Sequence, residues 1–331
     1  MAAYSDCPQE LSDFLFYMLT IKGRSRKTVD AYYVDLRTFL RYIKAVKIDH
    51  GNVNDPDYFH QISIQDVGLD TISTVTLSDV YRFLDYTLSE RQNNAKTRSR
   101  KVSAIRSFFN YLTVKENKLT ENPVKNLEVP SVKKSVPKYL TLEESLDLLT
   151  HIDSSSKFYE RDFCITTLFL NCGMRLSELV GINTYDLREN TIKLLGKGNK
   201  ERVIYINEAC QKALDAYLAV RIQPKSAEHK YALFLSSRGT RITPRRVEQI
   251  ITYCLKQAGL DGQGYSPHKL RHTAATLMYQ HGEVDIRVLK EILGHTSLST
   301  TEIYTHISDK QMENAANKSP LTKVSPAKKK K

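Results

Sequence analysis

Apolar residues recur at helical spacing through the first third of the chain. Leu11, Phe14, Leu15, Met18 and Leu19 share one face of a helix. Ser25-Arg26-Lys27-Thr28 precedes a second such segment, Val29 to Val46, striped by Tyr32, Leu36, Phe39, Leu40 and Ile43. Thr76-Leu-Ser78 opens a third, with Val80, Phe83, Leu84 and Leu88 inward, and Ala104, Ile105, Phe108, Phe109 and Leu112 mark a fourth. Amphipathic helices without strand alternation predict a small helical bundle over residues 1–119. Within it, the polar segment from Ile48 to Ser73 carries Gly51, Asn52, Asn54 and Pro56 and is expected to be a surface loop.

Residues 120–139 break the pattern. Asn122-Pro123, Pro130 and Pro137 stop helices, and Lys133 and Lys134 keep the stretch wet, so a linker is expected. A second domain, 140–308, begins with the capping-box pattern Thr141-Leu-Glu-Glu144. A helix over Phe163 to Asn171 is followed by two predicted strands, Thr191 to Leu195 and Arg202 to Ile206. Gly196-Lys197-Gly198-Asn199-Lys200 joins them as a tight hairpin turn. Helices then start at Thr243-Pro-Arg245-Arg246 and at Ser266-Pro267, the latter with Leu270, Ala274 and Leu277 facing inward. Another runs from Val284 to Leu293 and stops at Gly294, and the pair Ser299 and Glu302 opens a last helix carrying Tyr304. Within the C-terminal segment 309–331, Ser319 to Lys331 is low in apolar side chains and ends in four lysines, which predicts a disordered basic tail. The expected fold is mainly α with a small antiparallel β-sheet, in two domains.

Length and composition agree with this picture. At 331 residues, 41% hydrophobic and 26% charged, the chain has room for two cores. It shows no apolar run long enough to span a bilayer and no signal-peptide pattern at Met1-Ala-Ala-Tyr-Ser-Asp, so a cytoplasmic location without a membrane anchor is expected. The scattered Cys7, Cys164, Cys172, Cys210 and Cys254 suggest neither a zinc site nor a disulfide framework. A formal net charge of +12 favours an anionic partner where it clusters. Two clusters sit at helix starts: Lys22, Arg24, Arg26 and Lys27, then Lys96, Arg98, Arg100, Lys101 and Arg106. With Arg245 and Arg246, these point to phosphate contacts.

The chemistry concentrates near the C-terminus. His268 and Arg271 are three residues apart on one side of a helix, and His268 lies in the first turn, where free N–H groups favour an anion. His295 follows the Gly294 stop, and Tyr304 lies one turn inside the next helix. A tyrosine hydroxyl, with an ordinary pKa near ~10, needs a nearby base and cationic donors to attack a phosphate. The histidines His268 and His272 lack the glutamate of a zinc protease motif, since Lys269 stands in its place. They point only about 40° apart on a helix, so spacing alone leaves open which of them serves a site. Gly196 to Lys200 lacks the spacing and helix of a P-loop.

His268-Lys-Leu-Arg271-His-Thr, Leu293-Gly-His295 and Thr300-Thr-Glu-Ile-Tyr304-Thr-His resemble the C-terminal motifs of the tyrosine site-specific recombinases, and within them the bacterial Xer group. Gly173-Met-Arg175-Leu-Ser-Glu178-Leu resembles the family's first arginine motif, and Lys197, with Lys200 as its rival, matches the lysine that the family carries in its hairpin. The resemblance runs from Leu11 through Ser308. It implies a C-shaped clamp on double-stranded DNA, with the helical bundle on one side and a catalytic domain on the other. It implies Tyr304 as nucleophile, Arg175 and Arg271 on the non-bridging oxygens, and His295 at the phosphate. His268 would be the partner in proton transfer and Lys197 the general acid, with Glu178 orienting its neighbours. Arg202 joins the basic residues expected at DNA. Neither metal nor cofactor is implied. The assembly it implies is a tetramer on two DNA sites, of one chain or with a related recombinase, in which the protomer-contact segment Asp309 to Lys318 would pack on a neighbour. Xer-like resolution of chromosome or plasmid dimers is the leading expectation, a mobile-element integrase the alternative. A non-catalytic DNA-binding regulator is the reading from another class, and the complete set of reactive groups stands against it.

Overall fold

The computed structural model describes the chain except residues 1–3, 5, 131–137, 197–199, 283, 295–300 and 302–331. Contacts divide it into two compact units, Met1–Lys134 and Ser135–Lys331.

The first unit contains the expected helices: α1 Gln9–Thr20, α2 Arg26–Lys47, α5 Leu77–Ser89 and α6 Ala95–Asn110, with the shorter α3 Pro56–Gln61 and α4 Leu69–Ser73 between α2 and α5. Local chemistry fixes their starts. Ser25 caps α2, accepting from the Thr28 amide at 3.3 Å, and Asn94 caps α6, accepting from the Thr97 amide at 2.9 Å. Thr76 and Asp79 form a reciprocal capping box at α5. The apolar stripes meet in an aromatic core, where Phe39 packs edge-on to Phe83 and Phe109, and Phe14 to Phe108.

Two expectations change here. The segment from Ile48 to Ser73 is not a surface loop. It forms α3 and α4, and Phe59, Ile62, Ile64, Val67 and Ile72 are buried in the bundle core. Each such side chain contributes about 1.5–3 kcal/mol of burial. Its polar residues cap and turn the chain, as when Asp55 accepts from the amides of Asp57 and Tyr58. The bundle also runs past residue 119, since Val124 and Leu127 belong to the same core.

The second unit comprises α7 Leu142–Thr150, α8 Tyr159–Cys172, α9 Leu176–Gly181, β1 Leu187–Arg188, β2 Thr191–Leu195, β3 Glu201–Tyr205, α10 Glu208–Val220, α11 Pro244–Gln257, α12 Pro267–His281 and α13 Ile286–Leu293. α8 is its axis. It is apolar or small nearly all round and carries nine buried residues, so it sits inside with α10 and α12 packed on it. The sheet is antiparallel in the order β1-β2-β3, pairing Ile192 with Ile204 and Leu194 with Arg202. Ile192, Leu194 and Ile204 face the core, while Lys193, Val203 and Tyr205 face out. The two-residue strand β1 adds to the expected hairpin. Near the start of the unit, the Leu140 amide donates to Thr273 Oγ1 on α12 at 2.9 Å.

Candidate active site

α8 ends at Gly173, which adopts φ +57°, and α13 ends at Gly294, with φ +61°. Both are left-handed stops that only glycine takes without cost. The helix ends lie against each other: a Cβ added at Gly173 would come within 2.9 Å of Leu293 Cδ2. Their last carbonyls, unsatisfied by the helices themselves, become acceptors for arginines. Arg271 on α12 donates to Gly173 O at 2.8 Å and to Leu293 O at 2.6 Å. Arg175 donates to Gly294 O at 2.9 Å.

One buried carboxylate organises the cations. Arg175 is the N-cap of α9, and Glu178, three residues on, accepts its amide at 2.7 Å and its Nη1 at 2.8 Å. Arg202, reaching in from β3, donates Nη1 to Glu178 Oε1 and Nη2 to Oε2, the latter at 3.0 Å. Arg271 Nη1 lies 3.8 Å from Glu178 Oε2. Burial acts to raise the Glu178 carboxyl, but hydrogen bonds from Arg202 and from the Arg175 amide outweigh it and hold the pKa below the ordinary range. Three guanidiniums around one carboxylate leave an excess of two positive charges (three minus one). The Arg175 side chain is 33% exposed and Arg271 only 4%. The site therefore presents a preorganised cationic wall, with Arg175 as its solvent-facing member, suited to an anionic ligand.

His268 is exposed and His272 half-buried on α12, and their Nε2 atoms are 3.1 Å apart. At that distance one ring nitrogen can donate to the other, the tautomer deciding which. Ser266 precedes α12 as expected, although its side chain makes no capping bond and Pro267 takes the first helical position. Thr301 is fully buried. The hairpin closes where expected, Gly196 N donating to Lys200 O at 2.7 Å. A Cβ at Gly196 would lie 3.5 Å from Glu178 Oε1, so the root of the hairpin rests against the cluster. Lys197, His295 and Tyr304 lie outside the described residues. No group of histidine, cysteine or acidic side chains able to hold a metal occurs among the described residues.

The residues expected at DNA divide. Arg24, Arg26 and Lys27 at the start of α2, and Arg245 and Arg246 at the start of α11, are exposed. Arg98 is half-buried, and Arg100 is exposed while donating to Asp35 at 2.6 Å. Lys101 departs from the expectation: it is 5% exposed and its ammonium is committed to buried Asp35 at 3.0 Å. Arg202 departs too, since its guanidinium is turned inward onto Glu178. The signal for Arg202 was in the strand period. It shares the inward side of β3 with Ile204, where a cation requires a buried partner.

Residues 138–311 match the phage integrase family, and residues 57–116 match the phage integrase N-terminal SAM-like domain. A tyrosine recombinase XerC of Caldanaerobacter subterraneus subsp. tengcongensis is 49% identical over 95% of this chain and 88% of its own length. The chain belongs to the phage integrase family. It is an Xer-type tyrosine site-specific recombinase, a DNA breaking and rejoining enzyme. A tyrosine recombinase XerD of Listeria monocytogenes is 31% identical over 90% of the recombinase and 94% of its own length. Among solved structures, XerH bound to its palindromic difH substrate shares the fold, with a TM-score of 0.67 at 22% identity over 93% of the recombinase and 94% of XerH. A lambda integrase dimer bound to a core site does so with a TM-score of 0.64 at 17% identity, covering 91% and 97%. Among the described residues, no helix is long and apolar enough to cross a membrane.

Proposed function

We propose that the recombinase cuts duplex DNA at a specific site by attack of Tyr304 on a backbone phosphate, leaving a 3′-phosphotyrosine and a free 5′-hydroxyl. The hydroxyl of a partner strand then attacks the phosphotyrosine, restoring a phosphodiester and releasing the phenol. Each step exchanges one P–O bond for another, so neither ATP nor a metal is required. Arg175 and Arg271 hold the non-bridging oxygens, for which planar guanidinium forks are well shaped. His295 sits at the phosphate, His268 exchanges the proton of the phenol, and Lys197 protonates the leaving 5′-oxygen. The single observation carrying this reading is the convergence of Arg175 and Arg271 on Glu178 and on three carbonyls at two helix ends, beside the root of the Lys197 hairpin.

In this reading Arg24, Arg26, Lys27, Arg98, Arg100, Arg245 and Arg246 contact the DNA backbone. The recombinase works as a tetramer on two sites, alone or with a related recombinase, and resolves chromosome or plasmid dimers in the cytoplasm. The similarity to proteins named XerC and XerD supports that role. The test is a nicked duplex bearing the recognition sequence, from which strand cleavage becomes irreversible. An SDS-stable protein–DNA adduct is expected with the native chain and none with Tyr304→Phe, while both bind DNA equally. An adduct of undiminished yield with Tyr304→Phe, or none with the native chain on bound DNA, overturns the proposal.

A further inference from the structure

We infer that Arg202 is a positioning residue, which sets the catalytic arginines in register through Glu178 and does not itself contact DNA. This deepens the functional reading above and rests on it.

Arg202 touches three elements at once. Both Nη atoms donate to Glu178 on α9, and Nε donates to Ile292 O in the last turn of α13 at 3.2 Å. Its side chain also fills the space that a Cβ on Gly294 would occupy, with Nη1, Cδ and Cζ within 3.0 to 3.2 Å of that point. Gly294 O is the acceptor for Arg175, and the neighbouring Leu293 O is the acceptor for Arg271. Arg202 therefore grips both the carboxylate that orients Arg175 and the helix end that supplies a carbonyl to each catalytic arginine.

The side chain is 14% exposed, and all three donor nitrogens are engaged within the protein. Only a fork of this shape serves the role: two parallel bonds to one carboxylate plus a third donor at an angle to a backbone carbonyl. A lysine has the charge but not the geometry. Arg202 is the second residue of β3, the returning strand of the hairpin that carries Lys197, and Gly196 at the other root lies against the same carboxylate. Glu178 and Arg202 thus tie the hairpin to the arginine pair.

The test separates this role from a phosphate contact by its salt dependence. Arg202→Gln and Arg202→Lys are compared with the native chain for DNA affinity across salt concentrations, and for single-turnover cleavage of the nicked duplex at saturating protein. A positioning role predicts unchanged affinity and salt slope, with cleavage slowed on the order of 10²-fold in Arg202→Gln, the scale of a misplaced catalytic group. Arg202→Lys recovers only part of that loss. Adding Glu178→Gln to Arg202→Gln slows cleavage by less than the product of the two single effects, because the two residues share a contact. A phosphate contact predicts instead a salt slope smaller by about one, with native cleavage at saturation; that result overturns the inference. Full-rate cleavage by Arg202→Gln also overturns it. If Arg202→Gln does not fold, Arg202→Lys carries both measurements with the same expected directions. A native chain that forms no adduct sinks the functional reading itself, and so is distinguishable from failure here.

Discussion

The two units each bury one carboxylate among cations, and the protein treats them oppositely. Asp35 in the helical bundle accepts from Lys101 at 3.0 Å and Arg100 at 2.6 Å. Burial is the larger influence there, and the Asp35 carboxyl is pushed above its ordinary range despite both cations. Glu178 accepts four hydrogen bonds, one from a backbone amide and three from two guanidiniums, and is held below its ordinary range. The difference lies in the donors. A flexible ammonium and one arm of an exposed arginine do not replace the water lost around Asp35, whereas rigid forks and a helix N-terminus do so around Glu178. The bundle tolerates a buried charge that joins α2 to α6. The catalytic unit keeps one fully ionised because three arginines depend on it.

The most severe way to break this contrast is Glu178→Leu, which leaves three guanidiniums facing one another without a counter-charge. We expect a loss of about 3–5 kcal/mol, read by urea unfolding of the full chain. Arg271→Ala comes next, slowing adduct formation by about 10²–10³, or ~2.7–4 kcal/mol of barrier. Its single-turnover rate at saturating protein measures this. Gly173→Ala forces a left-handed backbone on a residue with a side chain and drives its Cβ onto Leu293. That costs about 1–2 kcal/mol in backbone strain alone, visible as a lowered thermal midpoint. Asp35→Asn has the smallest effect, about 1 kcal/mol, because the amide oxygen still accepts from Lys101 while the exposed Arg100 turns to water. A loss as large as that of Glu178→Leu would erase the comparison.

pH sharpens it further. A depressed folded-state pKa at Glu178 means stability present above the unfolded carboxylate range and lost as pH falls through the folded value. A raised one at Asp35 works the other way: its contribution is fully present below the unfolded carboxylate range and is lost as pH rises through the raised folded value. Below about pH 4, near the reference carboxylate values, the catalytic unit is expected to lose amide-exchange protection before the bundle does. Hydrogen exchange along an acid titration checks this, and loss in the reverse order refutes it.

Much of the fold was legible because it is written in local periods. The helix stripes, the helix start at Thr76, the capping box at Thr141, the glycine stop at Gly294 and the hairpin all follow from neighbouring residues. The segment from Ile48 to Ser73 misled because its polar residues are caps and turns, spaced among apolar side chains too short in run to show a period. Lys101 and Arg202 misled because a charge in a sequence carries no sign of its partner. Asp35 stands sixty-six residues from Lys101, and Glu178 twenty-four from Arg202.

The order of motifs along the chain was enough to mark the residues proposed to meet a phosphate. The sequence alone determined most of the long amphipathic helices and several of their ends, since each depends on residues a few positions apart. Only the tertiary structure decided which cations are spent inside. A guanidinium faces solvent or a carboxylate according to how α9, β3 and α13 pack, and burying one is tolerable only where a distant chain segment supplies its acceptors.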